Sequence, residues 1–228
     1  MTALLSLGRM DVENRARRSQ GTSAAAIYRM VAQALEARQV TGELVLEVGC
    51  GTGNLWAYLR ERFRRYVGLD ALCYEGFPAD AEFMPIDLDA ARIDVSDGSA
   101  DAVTALETIE HLENPRALMR ELVRLAKPGG WVIVTTPNQL SLLSKMTLLL
   151  KNQFNAFQAS SYPAHLTALL EVDLRRLARE NRLGDVEILY SRQGRLAFTA
   201  VHYPEFLSKL FPRACSDNVL LIGRKPDG

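Results

Sequence analysis

Residues 44–54 read Leu44-Val45-Leu46-Glu47-Val48-Gly49-Cys50-Gly51-Thr52-Gly53-Asn54. The first five form a short apolar run ended by glycine, the pattern of a strand buried on both faces. Glycines let the backbone turn sharply and approach a ligand with no Cβ in the way. Residues 55–64 then read as a helix, whose start offers free N–H groups and a positive dipole end. Strand, glycine loop and helix together predict a cofactor site. A dinucleotide fingerprint needs glycine at its first, third and sixth positions. Here the sixth position is Asn54, and the third glycine, Gly53, sits at the fifth. The spacing therefore argues against a nicotinamide-dependent oxidoreductase.

The pattern repeats on the C-terminal side. Apolar runs at 66–69, 81–86, 101–106 and 131–136 predict four more strands, the first two ending at Asp70 and Asp87. Residues 115–126 predict an amphipathic helix with Leu118, Leu122 and Leu125 on one face. Lys127-Pro128-Gly129-Gly130 stops it. Residues 172–181 predict a further helix, and 185–190 and 218–222 the last two strands. Strands alternating with helices at this spacing indicate βαβ units and a mostly parallel sheet. Right-handed crossovers then bring the strand C-termini to one edge.

Two segments fall outside the alternation. Residues 1–40 read as a polar arm carrying Arg15, Arg17 and Arg18, followed by a helix over 22–39. Residues 139–170 interrupt the pattern after the fifth strand, with a helix over 140–151 and then a polar and aromatic loop. This insertion is expected to act as a lid over the active edge, or to pack against a second copy. Phe154, Phe157 and Tyr162 are candidates for its acceptor-facing wall. The expected organisation is one domain over 1–228.

Composition narrows the function classes. Lys plus Arg and Asp plus Glu each number 27 among 228 residues, so the net charge is zero. No duplex nucleic acid partner is expected of such a chain. Three scattered cysteines suggest a reducing compartment without a disulfide framework. No signal peptide is read at the N-terminus, and no apolar stretch suits a membrane span. The expected location is cytoplasmic and the expected state a monomer or homodimer.

The E-x-G-x-G-x-G pattern of Glu47 to Gly53 resembles motif I of class I S-adenosylmethionine-dependent methyltransferases. Further motifs stand in that family's order at 67–70, 86–89, 101–111 and 127–138. The resemblance implies a Rossmann-like, doubly wound, seven-stranded α/β sheet, mostly parallel with an antiparallel last strand. The implied cofactor is S-adenosyl-L-methionine, with S-adenosyl-L-homocysteine as product. Its implied contacts are Glu47 at the methionine end, Gly49, Cys50, Gly51 and Gly53 in the loop, and Asp70 with Ala71 at the ribose. Asp87 and Leu88 would serve the adenine, with Asp89 and Asp94 as nearby competitors to Asp87. Leu106 or Glu107 would meet the cofactor's amino group through its backbone.

Residues 105–115 resemble the type-11 group of small-molecule methyltransferases. A hydroxyl acceptor needs a base, and His111 has the intrinsic pKa for that work. His165, in the insertion, is the second catalytic candidate. The spacing Glu107-x-x-Glu110-His111 also resembles metal-binding methyltransferases of small-RNA termini and of the ubiquinone pathway. That resemblance implies a divalent metal on Glu107, Glu110, His111 and His165. The residues after His165 depart from the pattern, and Mg²⁺ prefers oxygen ligands. The expected activity is methylation of an oxygen or nitrogen of a small-molecule or glycan-type acceptor. The alternatives are a metal-assisted O-methyltransferase of a diol or RNA terminus, and a cofactor-binding partner subunit without catalysis.

Overall fold

A computed structural model describes residues 21–88, 92–197 and 199–227. The arm with Arg15, Arg17 and Arg18 lies outside the described residues, as does Asp89. Seven strands form one sheet in the order β3-β2-β1-β4-β5-β7-β6. They are β1 (Gly42–Val48), β2 (Phe63–Asp70), β3 (Glu82–Pro85), β4 (Ala100–Leu106), β5 (Ala126–Pro137), β6 (Gly184–Tyr190) and β7 (Asn218–Arg224). The first five run parallel, and β7 is antiparallel to both β5 and β6. The doubly wound, mostly parallel sheet expected from the sequence is therefore present.

Alternation sends successive side chains to opposite faces, and both faces are covered. Leu46, Val48, Val103, Ala105, Val132 and Val134 join one apolar cluster. Val45, Ala102, Leu106 and Ile133 join the other. The first cluster packs under α3 (Pro115–Leu125) and α5 (Glu171–Glu180). The second packs under α1 (Ala25–Glu36) and the short α2 (Trp56–Leu59). α3 forms where the sequence predicts it. Asn114 caps it by accepting from the Ala117 N–H at 3.0 Å, Pro115 opens it, and Leu118, Met119, Leu122 and Leu125 are buried. Truncating Leu122 to alanine would cost about 2–5 kcal/mol.

The helix expected over 55–64 is a correction. Only Trp56–Leu59 is helical, and β2 already begins at Phe63, paired with Gly42. Leu55, Leu59 and Phe63 are four residues apart and all buried, which imitates a helical face. Phe63 is buried as the first residue of a strand instead. A helix over Glu205–Leu210 (α6), between β6 and β7, was not anticipated by the periodicity. The insertion contains α4 (Leu142–Lys151) and two short 3-10 turns at Asn155–Phe157 and Ala159–Ser161.

The strand order reverses between β1 and β4. Loops leaving their C-terminal ends part there, and the resulting crevice is where ligands bind in open α/β sheets.

Candidate functional site

A cavity of about 750 Å³ opens at that crevice, within the usual size range for small-molecule sites. Its floor is the glycine loop. Thr108, just past β4, sets the shape of that loop. Its hydroxyl donates to Leu106 O at 3.0 Å, and its side chain fills the space where a Cβ on Gly49 would fall, 2.3 Å from Oγ1. Gly49 has φ of 76°, a left-handed conformation natural to glycine.

Asp70, at the end of β2, closes one side. Its Oδ2 accepts from the Gly51 N–H at 2.8 Å and its Oδ1 from the Ala71 N–H at 2.7 Å. The carboxylate thus ties the first loop to the second and presents its remaining lone pairs to the cavity. Burial pushes its pKa up despite these hydrogen bonds. Glu47 lies beneath the loop, accepting from the Tyr66 hydroxyl, and burial pushes its pKa up to about 8.

Opposite the loop, Glu107 adopts φ of 49°, uncommon for a residue with a side chain. Its N–H donates to Thr135 O and Thr135 Oγ1, so its backbone donor is already engaged by β5. Its carboxylate accepts from Thr135 Oγ1 at 2.9 Å and from Asn218 Nδ2 at 2.7 Å. Glu110 is fully buried. One oxygen accepts from Thr136 Oγ1 at 3.0 Å, and the other, Oε1, has no hydrogen-bond partner among the described residues. Burial and the neighbouring Glu107 charge hold Glu110 well above the usual carboxylate range.

His111 and His165 come to the same place from different segments. Each donates its Nδ1–H to a backbone carbonyl, His111 to Ala164 at 2.7 Å and His165 to Ala156 at 2.6 Å. A carbonyl only accepts, so Nδ1 carries the proton and Nε2 the lone pair in each neutral ring. Burial lowers the pKa of His165, which favours that neutral form. Ligand atoms of Glu110, His111 and His165 lie within 4.8 Å of one another.

The cavity lining includes Glu47, Gly49, Cys50, Gly51, Asp70, Ala71, Asp87, Leu88, Leu106 and Glu107. Gly53 is not among them; a Cβ there would strike Phe77 and Pro78 at 2.8 Å, so it makes room for packing. The metal-type cluster takes in Glu110, His111 and His165 but not Glu107, whose oxygens serve Thr135 and Asn218. Tyr162 lines the cavity, whereas Phe157 packs on the His165 ring at 5.3 Å. Phe154 is not part of the lining. Sequence reasoning missed Tyr28 of α1, the Thr22–Ser23 pair before it, and Asn218. A tyrosine on the buried face of a helix preceding the glycine loop was the one available signal. Asn218 had none, because its role depends on β7 lying beside β5.

Residues 19–187 match the family model described as a methyltransferase domain. The chain belongs to that family, the class I S-adenosylmethionine-dependent methyltransferases. It is 32% identical over 111 residues to a ubiquinone biosynthesis O-methyltransferase of Chromobacterium violaceum, covering 44% of this chain and 47% of that protein. It is 31% identical to the Bordetella pertussis protein of the same name, covering 45% and 46%. The chain thus spans about half the length of the curated relatives it matches. A methyltransferase from Archaeoglobus fulgidus superposes with a TM-score of 0.61 at 17% identity, over 87% of this chain and 94% of that one. That likeness supports the fold alone.

The residues fit the family's cofactor. The cavity presents a glycine loop that a ligand can approach closely, the Asp70 carboxylate and the buried Glu47, acceptors suited to the hydroxyl and ammonium donors of a cationic nucleoside.

Proposed function

We propose that this protein transfers the methyl group of S-adenosylmethionine to a hydroxyl oxygen of a small-molecule or glycan-type acceptor. The observation that carries the reading is the placement of His111 and His165 in the same cavity as the glycine loop and Asp70. When bound, the cofactor supplies a methyl group already activated by its sulfonium.

The protein's remaining tasks are alignment, exclusion of water and removal of one proton. The close approach that Gly49 and Gly51 allow, together with the Asp70 carboxylate, holds the nucleoside end. The insertion closes the acceptor side. The Leu166 and Thr167 N–H groups donate to Glu110 O at 2.8 and 3.0 Å, and the Ala164 carbonyl accepts from His111. With the cofactor bound, its sulfonium would supply the methyl group to the acceptor oxygen and depart as the thioether. The hydroxyl proton passes to an imidazole Nε2, whose lone pair is set by the carbonyl on Nδ1. The names of the matched relatives favour an oxygen acceptor over a nitrogen one.

A second reading is favoured by Glu110 Oε1, buried and without a hydrogen-bond partner among the described residues. Together with the two imidazoles it makes a donor set suited to a divalent transition metal rather than Mg²⁺. Such an ion would be held by Glu110, His111 and His165 and would supply Lewis-acid activation of the acceptor hydroxyl.

The test is product formation. Purified protein is given S-adenosylmethionine and matched hydroxyl and amine acceptors, and S-adenosylhomocysteine is quantified with and without added Mn²⁺ or Zn²⁺. Hydroxyl-dependent turnover supports the proposal. Failure to bind S-adenosylhomocysteine, or turnover with amines alone, overturns it. Metal-dependent turnover that a chelator abolishes selects the second reading.

A further inference from the structure

Helix α4 is turned the wrong way round for a helix that faces water. It buries Ser144 and Thr147 along with Leu143. It exposes Leu142, Met146, Leu148, Leu149 and Leu150, with Leu149 at 76% and Leu150 at 61%. Leu142, Met146, Leu149 and Leu150 recur at i, i+4, i+7 and i+8, which makes one outward stripe. The buried hydroxyls fix this orientation. Ser144 Oγ donates to Gln139 Oε1 at 3.1 Å and accepts from the Asn155 N–H at 3.3 Å, and Thr147 Oγ1 donates to Leu143 O at 2.8 Å. Rotating the leucines inward would strand the Ser144 hydroxyl and its partners outside the helix.

Helix α6 repeats the inversion. Ser208 is buried while Phe206 and Leu210 are each 67% exposed, and Phe211 follows at 54%. The first turn of α4 is tied to the segment that follows α6, where the Leu142 N–H donates to Ala214 O at 2.9 Å. Scattered apolar residues on a surface need no explanation, but two helices with the same inversion do.

Charge identifies what the stripe meets. From residue 122 to residue 170 the chain contains no Asp or Glu, although it carries 27 acidic residues in all. Lys145 and Lys151 of α4 are exposed beside the leucines in the helix, and Arg213, after α6, is exposed as well. The acid of α6, Glu205, is paired with Lys209 at 2.7 Å. An isologous dimer would bring two copies of this cation-bearing, acid-poor face together. An anionic phospholipid surface offers apolar depth for the leucines and negative charge for the lysines.

We propose that α4, together with α6, docks this protein on anionic bilayer surfaces. The contact is interfacial, since no helix among the described residues is long and apolar enough to cross a membrane. The acceptor side of the cavity lies close by in the chain. Lys151, at the end of α4, donates to Gln158 at 3.2 Å, and Ser160, Ser161 and the exposed Tyr162 that follow line the cavity.

The experiment is flotation of the full chain with vesicles of phosphatidylcholine alone or with about one-third phosphatidylglycerol. Wild type should float with the anionic vesicles and lose that binding as salt rises. The Leu149→Glu/Leu150→Glu variant should lose roughly tenfold or more of the bound fraction. Its S-adenosylhomocysteine affinity and melting temperature should match wild type, since neither residue lines the cavity or the core. Three outcomes overturn the proposal: no flotation of wild type, flotation indifferent to the double substitution, or a wild-type dimer in solution that the substitution dissociates. The last would show that a second copy covers this face.

Discussion

The imidazoles of His111 and His165 meet edge to face, with ring centroids 4.8 Å apart and planes at 76°. One ring follows β4 and the other belongs to the insertion, so the pair exists only when the insertion is folded onto the sheet. Both Nδ1 atoms spend their protons on carbonyls of the insertion, Ala164 and Ala156. Orientation and tautomer are therefore imposed by the same segment that closes the cavity.

His111→Ala and His165→Ala should each lower kcat by about 10²- to 10⁴-fold, the usual worth of a positioned general base. Affinity for S-adenosylhomocysteine should change by less than about threefold, since the proposed role of each ring is toward the acceptor. Steady-state kinetics beside calorimetric titration separates the two quantities. Equal loss of turnover and cofactor affinity would make the rings structural supports.

Asp70 is the joint between the first two loops, one oxygen serving Gly51 and the other Ala71. Asp70→Ala removes both ties, together with the sugar contact proposed for this carboxylate. The expected loss of cofactor affinity is about 1.5–3 kcal/mol, roughly ten- to a hundredfold. Asp70→Asn should not restore it, because its amide would point N–H groups at one of the two loop donors. Calorimetry on both variants is decisive. Wild-type affinity in either would remove Asp70 from the cofactor site.

Gly49→Ala tests the shape of the first loop. The substitution forces an L-residue to φ of 76° and brings its Cβ to 2.3 Å from Thr108 Oγ1 and 2.6 Å from Cγ2. We expect destabilisation of about 2–4 kcal/mol by denaturant melts. Adding Thr108→Ala should recover part of that loss, because the clash is relieved while the backbone cost stays. No recovery would mean that the clash with Thr108 is not the cause.

Much of the fold was legible because the central parallel strands are covered on both faces and so appear as apolar runs, β1 followed by Gly49 and β2 ending at Asp70. The glycine loop, Asp70 and the Glu110–His111 pair were readable for the same reason, since they sit at strand ends. Legibility failed where tertiary context overrides local period. Leu55, Leu59 and Phe63 imitate a helix across a turn, and α4 carries an apolar stripe that the fold leaves outside. The partner that holds the Glu107 carboxylate was also hidden. Asn218 reaches Glu107 only because the chain returns antiparallel through the sheet, and no spacing in the sequence records that.

Glu47 gives a prediction in pH. Burial raises its pKa from the model-peptide value of 4.5 to about 8 in the folded protein without cofactor. Between these values the folded state holds a proton that the unfolded chain has released. The Glu47 contribution to stability is thus retained below about pH 4.5, falls as pH rises, and levels off above about pH 8. The full excursion is of order 3–5 kcal/mol, observed as the difference between wild type and Glu47→Gln in melts across that window. Binding should reverse the effect. A cationic cofactor whose ammonium lies near Glu47 favours the carboxylate, so binding near neutral pH should expel a proton and tighten as pH rises toward 8. Calorimetry in buffers of different ionisation enthalpy would record that proton, and Glu47→Gln should abolish its release. A binding enthalpy independent of buffer in wild type would mean that Glu47 stays protonated beneath the bound cofactor and acts through its hydrogen bond with Tyr66 alone.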